Sequence, residues 1–352
     1  MPDSFVPSKT EIQLTRKERF MRAIAGEEVD RPPVWLMRQA GRYMREYQEV
    51  KDQYTFHEMC RIPELAAEVS MQPLRKFDMD ALIIFNDILI PFEGMGHSVE
   101  YQEGGPVIFP AFRHEDDLKR LHRAHFDDPP AVYHSITALR KQAGEEIPIL
   151  GFAGSPFTMA TYLVEGKMTR NLRHVKEMLY ARPDLLHRVL EEITATVMEY
   201  LNIQVQAGAN AVQIFDSWAG TLSVEDYRTF ALPYQQQVIE AIQSQGTPVI
   251  LYVNNSGHLL PDMKRSGAKI ISVDWRVGLD EVRRQVGDDV VLQGNLDPTA
   301  LYAPPETVVR LVREMLRKLG RRTKYIANLG HGILPETPVD SVQAFVNAVK
   351  EL

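Results

Sequence analysis

Short apolar or β-branched runs recur along the chain, and the longer stretches between them carry apolar residues every three to four positions. Eight runs stand out: PVWLM (33–37), ALIIF (81–85), IPILGF (147–152), AVQIF (211–215), TPVILYV (247–253), AKIISVD (268–274), VVLQGN (290–295) and KYIANLG (324–330). Most are almost continuously apolar, as parallel strands covered on both faces are. The intervening segments carry helix punctuation. Ser223 and Asp226 have capping-box spacing, and PETVVRLVREMLRKLG opens on proline and ends at Gly320, a C′ glycine. Thr337-Pro338-Val339-Asp340 predicts an N-cap threonine with proline at the first helical position. The stretch 86–146 is too long for one crossover, and its SVEYQEGGPVIF (98–109) reads as an inserted hairpin.

Strands alternating with helices eight times predict an α/β fold, a single-domain (β/α)8 barrel of the TIM type, over residues 1–352. Residues 1–14 are expected to be a flexible N-terminal extension, and an open doubly wound sheet is the alternative architecture. The runs are followed by RQAGR, ND, AGSPFT, DSWAG, NNSG, DW, LDP and HG. A barrel gathers all of these at one mouth, whereas an open sheet strings them along an edge. Turn chemistry alone accounts for any one of them, but less easily for the whole set.

Composition narrows the partners. The chain is 44% hydrophobic and 25% charged, with a formal net charge of −7. That balance argues against nucleic acid, whose phosphates call for a basic stripe. The single cysteine, Cys60, excludes an internal disulfide framework and cannot supply a cysteine-rich zinc site. MPDSFVPSKTEIQLTRKERF has no apolar signal core, and no stretch approaches the roughly 18 apolar residues of a membrane span. No membrane association is expected, and a reducing cytosol or organelle interior fits best.

Against that acidic background, RQAGRYMREYQEVK (38–51) sets Arg38, Arg42, Arg45 and Lys51 against only Glu46 and Glu49. Were 38–45 helical, Arg38 and Arg42 would be repelling neighbours unless an anion lay between them. Surface pairing explains Arg45 with Glu49 well and Arg42 with Glu46 adequately. Arg38 has no acid four positions on, and arginine at a strand end suits bidentate capture of carboxylate or phosphate. Other motif matches are weak. GMGHSV (94–99) lacks the third glycine of a dinucleotide loop, FHEMC (56–60) is not a metalloprotease motif, and His258 and His331 have no metal-ligand spacing to Cys60. No metal and no cofactor are expected.

PPVWLMRQAGRYMREY (32–47) and GFAGSPFTMATYLVEG (151–166) resemble the two signature regions of the uroporphyrinogen decarboxylase family. IIFNDIL (83–89), FDSWAG (215–220) and NLGHG (328–332) are similar to further landmarks of that family, in the same order. The resemblance implies a cofactor-free barrel enzyme that converts the four acetate side chains of uroporphyrinogen III to methyl groups. The product is coproporphyrinogen III, on the route to haem and chlorophyll. It also implies a homodimer in the cytoplasm, with a plastid stroma open for a photosynthetic source.

By the same resemblance Arg38, Gln39, Ala40, Gly41 and Arg42 form a substrate-binding segment, and Asp87 meets the pyrrole N–H groups at the centre of the macrocycle. Tyr162, Ser217 and His331 hold its periphery, and Arg38 joins Asp87 as a catalytic candidate. Met159 stands where the family often has leucine, and Lys51 where some relatives have arginine. The competing readings are a related methyltransferase acting on a corrinoid or thiol, which commonly needs cysteine-bound zinc, and a non-catalytic porphyrinogen carrier. One cysteine disfavours the first, and a central carboxylate disfavours the second.

Overall fold

The computed structural model describes residues 13–102, 105–126, 129–169, 171–320 and 323–351. The expected N-terminal extension therefore lies outside the described residues, apart from positions 13 and 14. The strands are β1 (Leu82–Ile83), β2 (Ser98–Gln102), β3 (Gly105–Phe109), β4 (Ile149–Gly154), β5 (Ala211–Asp216), β6 (Val249–Val253), β7 (Ile270–Val273), β8 (Val291–Leu296) and β9 (Tyr325–Leu329). Seven of them form one parallel sheet in the order β1-β4-β5-β6-β7-β8-β9, and β2 and β3 form the separate antiparallel hairpin.

All eight apolar runs take part in the barrel, but the first does so without becoming a full strand. Its Val34 makes one parallel bridge to Ala327 of β9. The seam closes through three backbone bonds: Ala327 N to Pro33 O (2.9 Å), Trp35 N to Ala327 O (3.3 Å), and Asp80 N to Val34 O (2.8 Å). Period-2 alternation then selects one inward residue per segment. Trp35, Ala81, Leu150, Ala211, Ile250, Ile270, Val291 and Ile326 meet in a single buried cluster, joined by Phe20 and Ile24 of the helix Arg16–Ala25. Two residues further along, the interior turns polar. Gln293 accepts the Trp35 indole N–H (3.0 Å) and donates to Gln213 Oε1 and Ser272 Oγ, both at 2.9 Å. These amides satisfy one another, so their burial is compatible with a closed core.

The helices cover the outer faces, and several of their ends obey the sequence signals. Ser223 Oγ accepts the Asp226 N–H ahead of the helix Val224–Phe230, and Gly320 closes Pro305–Leu319 in the left-handed conformation. One expectation needs correction. Pro338, not Thr337, is the N-cap of the helix Val339–Lys350, because its ψ of 130° is extended and delays the helix by one residue. Residues 38–44 form turns, and the helix begins only at Arg45. Arg38 itself has a φ of +59°, which no continuous right-handed helix accommodates.

Candidate active site at the barrel mouth

The turn that carries Arg38 is pinned from three directions. Met37 N–H donates to Asn328 Oδ1 (3.1 Å), and Ile333 N–H donates to Met37 O (2.9 Å). Gln39 is buried, its amide spent on the scaffold: Oε1 accepts from Leu36 N (3.2 Å) and Nε2 donates to Ala81 O (3.2 Å). Ala40 packs on the core behind it. The Arg38 stem then runs across Gly332, where a Cβ would fall 2.5 Å from Arg38 Cδ. Glycine at 332 thus makes room for the arginine. Gly41 is less constrained, since an added Cβ there would meet nothing closer than Arg38 O at 3.4 Å.

Arg38 and Arg42 are both exposed, and among the described residues neither forms an ion pair. Glu46, the surface partner expected for Arg42, instead takes Lys76 at 2.7 Å. Arg45 does pair with Glu49 at 2.9 Å, as expected of a solvated helix face. Lys51 is exposed at the end of that helix.

Asp87 lies just beyond β1, its carboxylate accepting the Leu89 N–H at 2.7 Å. Burial pushes its carboxyl up, opposed by the Leu89 N–H, by the Tyr101 hydroxyl and by the charge of Arg38. The same two charges act on Tyr162, whose hydroxyl burial pushes up. Tyr162 meets Trp218 edge-on, ring centroids 6.5 Å apart. His331, beyond β9, is pushed down to about 4 by burial and then by Arg38, so at neutral pH it is an uncharged donor and acceptor. The structure therefore brings Arg38, Asp87, Tyr162 and His331 into one electrostatic neighbourhood. Ser217 is half-buried beside Trp218, in a turn shaped by Asp216, which accepts from Thr158 Oγ1 (2.6 Å), Gln235 Nε2 (2.8 Å) and Ala219 N (3.2 Å).

Three features escaped the sequence reading. An aromatic arc, Phe152–Phe215–Tyr252–His331, crosses four strand ends with centroid spacings of 5.6, 5.8 and 6.2 Å. Its signal was an aromatic residue near the end of three successive runs. Tyr101, on the inserted hairpin, packs its ring edge-on against Phe56 at 4.9 Å, and burial and then the Asp87 charge push its hydroxyl up. Cys60 sits in the helix Phe56–Arg61, where burial and then the Asp87 charge raise its thiol. Among the described residues no three His, Cys, Asp or Glu side chains group as metal ligands, and no helix is long and apolar enough to cross a membrane.

Among the described residues the exposed Arg38 and Arg42 have no acidic partner, and Asp87 beside them has the Leu89 N–H as its hydrogen-bond donor, an arrangement for an anionic ligand that also carries donors. Comparison with known proteins bears on the fold and the family. Among solved structures, a methyltransferase from Methanosarcina mazei superimposes with a TM-score of 0.77 at 22% identity, covering 96% of this chain and 99% of its own. A B12-independent methionine synthase from Shewanella gives a TM-score of 0.57 at 14% identity, covering 82% of this chain and 88% of its own. At such identities the likeness speaks for the barrel fold alone. Sequence relatives are nearer. A uroporphyrinogen decarboxylase of Carboxydothermus hydrogenoformans is 44% identical over 337 residues, 95% of this chain and 96% of the relative. One from Thermosynechococcus vestitus is 43% identical over 338 residues, 95% of this chain and 98% of the relative. The sequence profile of the uroporphyrinogen decarboxylase family matches residues 15–352, and the chain belongs to that family.

Proposed function

We propose that this protein decarboxylates the acetate side chains of uroporphyrinogen III to give coproporphyrinogen III, with Asp87 as the central carboxylate. The observation that supports the assignment of roles is the nearness of Asp87 to the charge of Arg38, an exposed arginine without an ion-pair partner among the described residues. Loss of carbon dioxide from a pyrrole acetate leaves an electron pair, and the substrate can receive it. A proton adds to the ring carbon beside the acetate-bearing position and makes the ring cationic. The bond from the acetate CH₂ to its carboxylate then breaks, its electron pair forming an exocyclic methylene as the ring cation is discharged. A second proton converts the methylene to methyl, and the first leaves the ring. Each cycle exchanges one carbon dioxide for one proton, with no external electron acceptor.

Asp87 contributes a fixed negative charge beneath the pyrrole nitrogens, where the ring cation develops. Arg38 and Arg42 hold substrate carboxylates, with Arg38 nearest the reacting centre. Since a guanidinium does not release its proton in proteins, Arg38 orients and stabilises. Neutral His331, Tyr162 and Ser217 supply hydrogen bonds to the periphery, and the backbone of Gln39, Ala40 and Gly41 frames the arginines. No metal or cofactor takes part in this scheme. The barrel acts as one domain in a cytoplasmic homodimer; bacterial relatives support the compartment, and Phe109, 69% exposed on the hairpin, supports a protein-covered face.

Anaerobic incubation of the exhaustively chelated protein with uroporphyrinogen III, followed by chromatography, tests the reaction. Coproporphyrinogen and four equivalents of carbon dioxide are expected. Activity recovered only on adding zinc, or methyl transfer from a methylcorrinoid in place of carbon dioxide release, overturns the reading. Sedimentation equilibrium tests the dimer.

A further inference from the structure

The turn after β7 leans over the mouth. Asn295 Nδ2, near the end of β8, donates to Asp274 O (2.9 Å) and Val277 O (2.7 Å), and the Asp274 carboxylate fixes the turn from within. Its Oδ1 accepts the Arg276 N–H (2.8 Å) and its Oδ2 the Ser256 N–H (3.0 Å). Trp275 is thereby set against the end of β9, where a Cβ on Gly330 would fall 2.5 Å from Trp275 N and 3.0 Å from its Cε3. A contact between the ends of β7 and β9 has to pass over β8, the strand that separates them, so the turn runs inward across the barrel opening. Tyr252, from β6, meets the same point by donating its O–H to Gly330 O (2.9 Å). Arg276 rides on this turn. Its guanidinium carbon lies 4.2 Å from the centre of the Trp275 ring, and its Nη1 reaches Asn254 Oδ1, just beyond β6, at 3.4 Å.

We infer that Arg276 is a third substrate-binding arginine, holding a peripheral carboxylate of the porphyrinogen on the rim opposite Asp87. The inference rests on the decarboxylase reading above. Counting the first run, β7 stands four segments from β1 in either direction round the barrel, so Arg276 and Asp87 belong to opposite sides of the mouth. A macrocycle whose centre meets Asp87 extends acidic side chains from all four pyrroles. Arg38 and Arg42 come from one turn and serve one side. On the far side the acid nearest to Arg276, Asp274, is 2% exposed, and both its oxygens already accept backbone N–H groups. Arg276 is 43% exposed, and its Nη1 lies 3.4 Å from Asp274 Oδ1. That distance and the one to Asn254 both exceed the length of a charge-assisted hydrogen bond. Among the described residues its Nε and Nη2 make no hydrogen bond, so donors remain for a ligand. A guanidinium stacked over an indole keeps its in-plane N–H fork for a carboxylate, which a lysine in the same place could not offer. After burial, the charges of Arg38 and Arg276 both push the His331 imidazole down, so the two fields meet at one group of the mouth.

Arg276→Gln removes the charge and keeps a stem long enough to lie on Trp275. KM for uroporphyrinogen III should rise about 10-fold, the scale of one hydrogen bond to a charged group, with kcat and Tm little changed. The rise of KM with ionic strength should flatten, because an exposed cation that is screened by salt has been removed. Arg276→Lys keeps the charge without the fork, so its KM should fall between those of wild type and Arg276→Gln, with the salt response retained. A wild-type KM in Arg276→Gln would overturn the inference, as would a raised KM with an unchanged salt response, or a lower Tm as the sole effect. Loss of the salt response in Arg276→Lys would overturn it too, since the charge would then be irrelevant. A wild-type protein that releases no carbon dioxide from uroporphyrinogen III overturns the decarboxylase reading and this inference together, whereas wild-type turnover beside an unmoved KM in the variant sinks the inference alone.

Discussion

Two aspartates flank the same short strand, and the protein treats them in opposite ways. Asp80, before β1, is fully buried and over-supplied with donors: Arg31 binds both oxygens (2.5 and 2.9 Å), Arg19 adds a third contact (3.0 Å) and Val34 N–H a fourth (2.8 Å). Asp87, after β1, has one backbone donor, the Leu89 N–H at 2.7 Å, and an arginine that acts through its charge. The first carboxylate is consumed in closing the barrel seam, since Asp80 N–H also donates to Val34 O. The second is left with capacity to spare, facing the mouth. An acid whose partners are complete is part of the scaffold, and one held against burial by few partners is available to a ligand.

Breaking the scaffold aspartate should give the larger effect. Asp80→Asn leaves the mostly buried Arg31 facing a neutral amide and Arg19 with Asp30 alone, and removal of one member of such a cluster typically costs about 3–5 kcal/mol. Urea unfolding should show that loss at unchanged m-value, while kcat per folded molecule stays near wild type. Loss of turnover at normal stability would abolish the distinction between the two residues.

Asp87→Asn should behave in the reverse sense. Removal of one preorganised electrostatic contact costs about 10²- to 10³-fold in rate, with a smaller change in substrate affinity. Stability should rise. Burial lifts the Asp87 carboxyl above its ordinary value, so the folded state holds the proton more tightly than the unfolded chain. Wild-type stability therefore declines as pH climbs through the window between the unfolded and folded values, and the penalty is complete above it. Asparagine does not titrate, so the gain in Tm should be absent at low pH and present at pH 7. A variant that is both active and no more stable would return Asp87 to the scaffold class.

The sequence made the two aspartates unequal for the wrong reason. Asp87 was visible through its resemblance to a family landmark; Asp80 was not singled out at all, because its partners Arg19 and Arg31 lie far off in sequence and nothing in the local pattern announces them. Strand positions were legible throughout, since eight inward residues at matching levels demand eight apolar runs. Yet run one became a single bridge, held by partners that periodicity does not name. A single backbone angle, the left-handed φ of Arg38, keeps 38–44 out of the helix that begins at Arg45. A left-handed φ costs an arginine roughly 1–2 kcal/mol, and what sustains it here is tertiary, the grip of Asn328 and Ile333 on Met37. Tyr101 escaped because a hairpin inserted between βα units carries no register with the strand ends.

The contrast between satisfied and unsatisfied groups extends to the arginines. Arg42 has no acidic partner among the described residues, and Glu46 is occupied by Lys76. Arg42→Ala should weaken uroporphyrinogen binding by roughly 10-fold, the scale of one charge-assisted hydrogen bond. It should also flatten the rise of KM with ionic strength, because exposed charges are screened over about 10 Å at 0.1 M salt. An unchanged salt response would make Arg42 a surface residue.

Arg45 provides the control for that experiment. It stands three residues from Arg42 and carries the same charge, but it already has its partner: Nε lies 2.9 Å from Glu49 Oε1, with the two side chains 88% and 59% exposed. An exposed pair four residues apart gains little Coulomb energy in water and orders two long side chains to gain it, so its worth is about 0.3–0.5 kcal/mol. Arg45→Ala should accordingly leave kcat, KM and the salt dependence within error of wild type and shift the urea midpoint only slightly. If Arg45→Ala instead matched Arg42→Ala in KM and salt response, the substrate would be reading the summed charge of the segment. Arginine placement, and with it the argument from unsatisfied partners, would then be irrelevant to binding at this mouth.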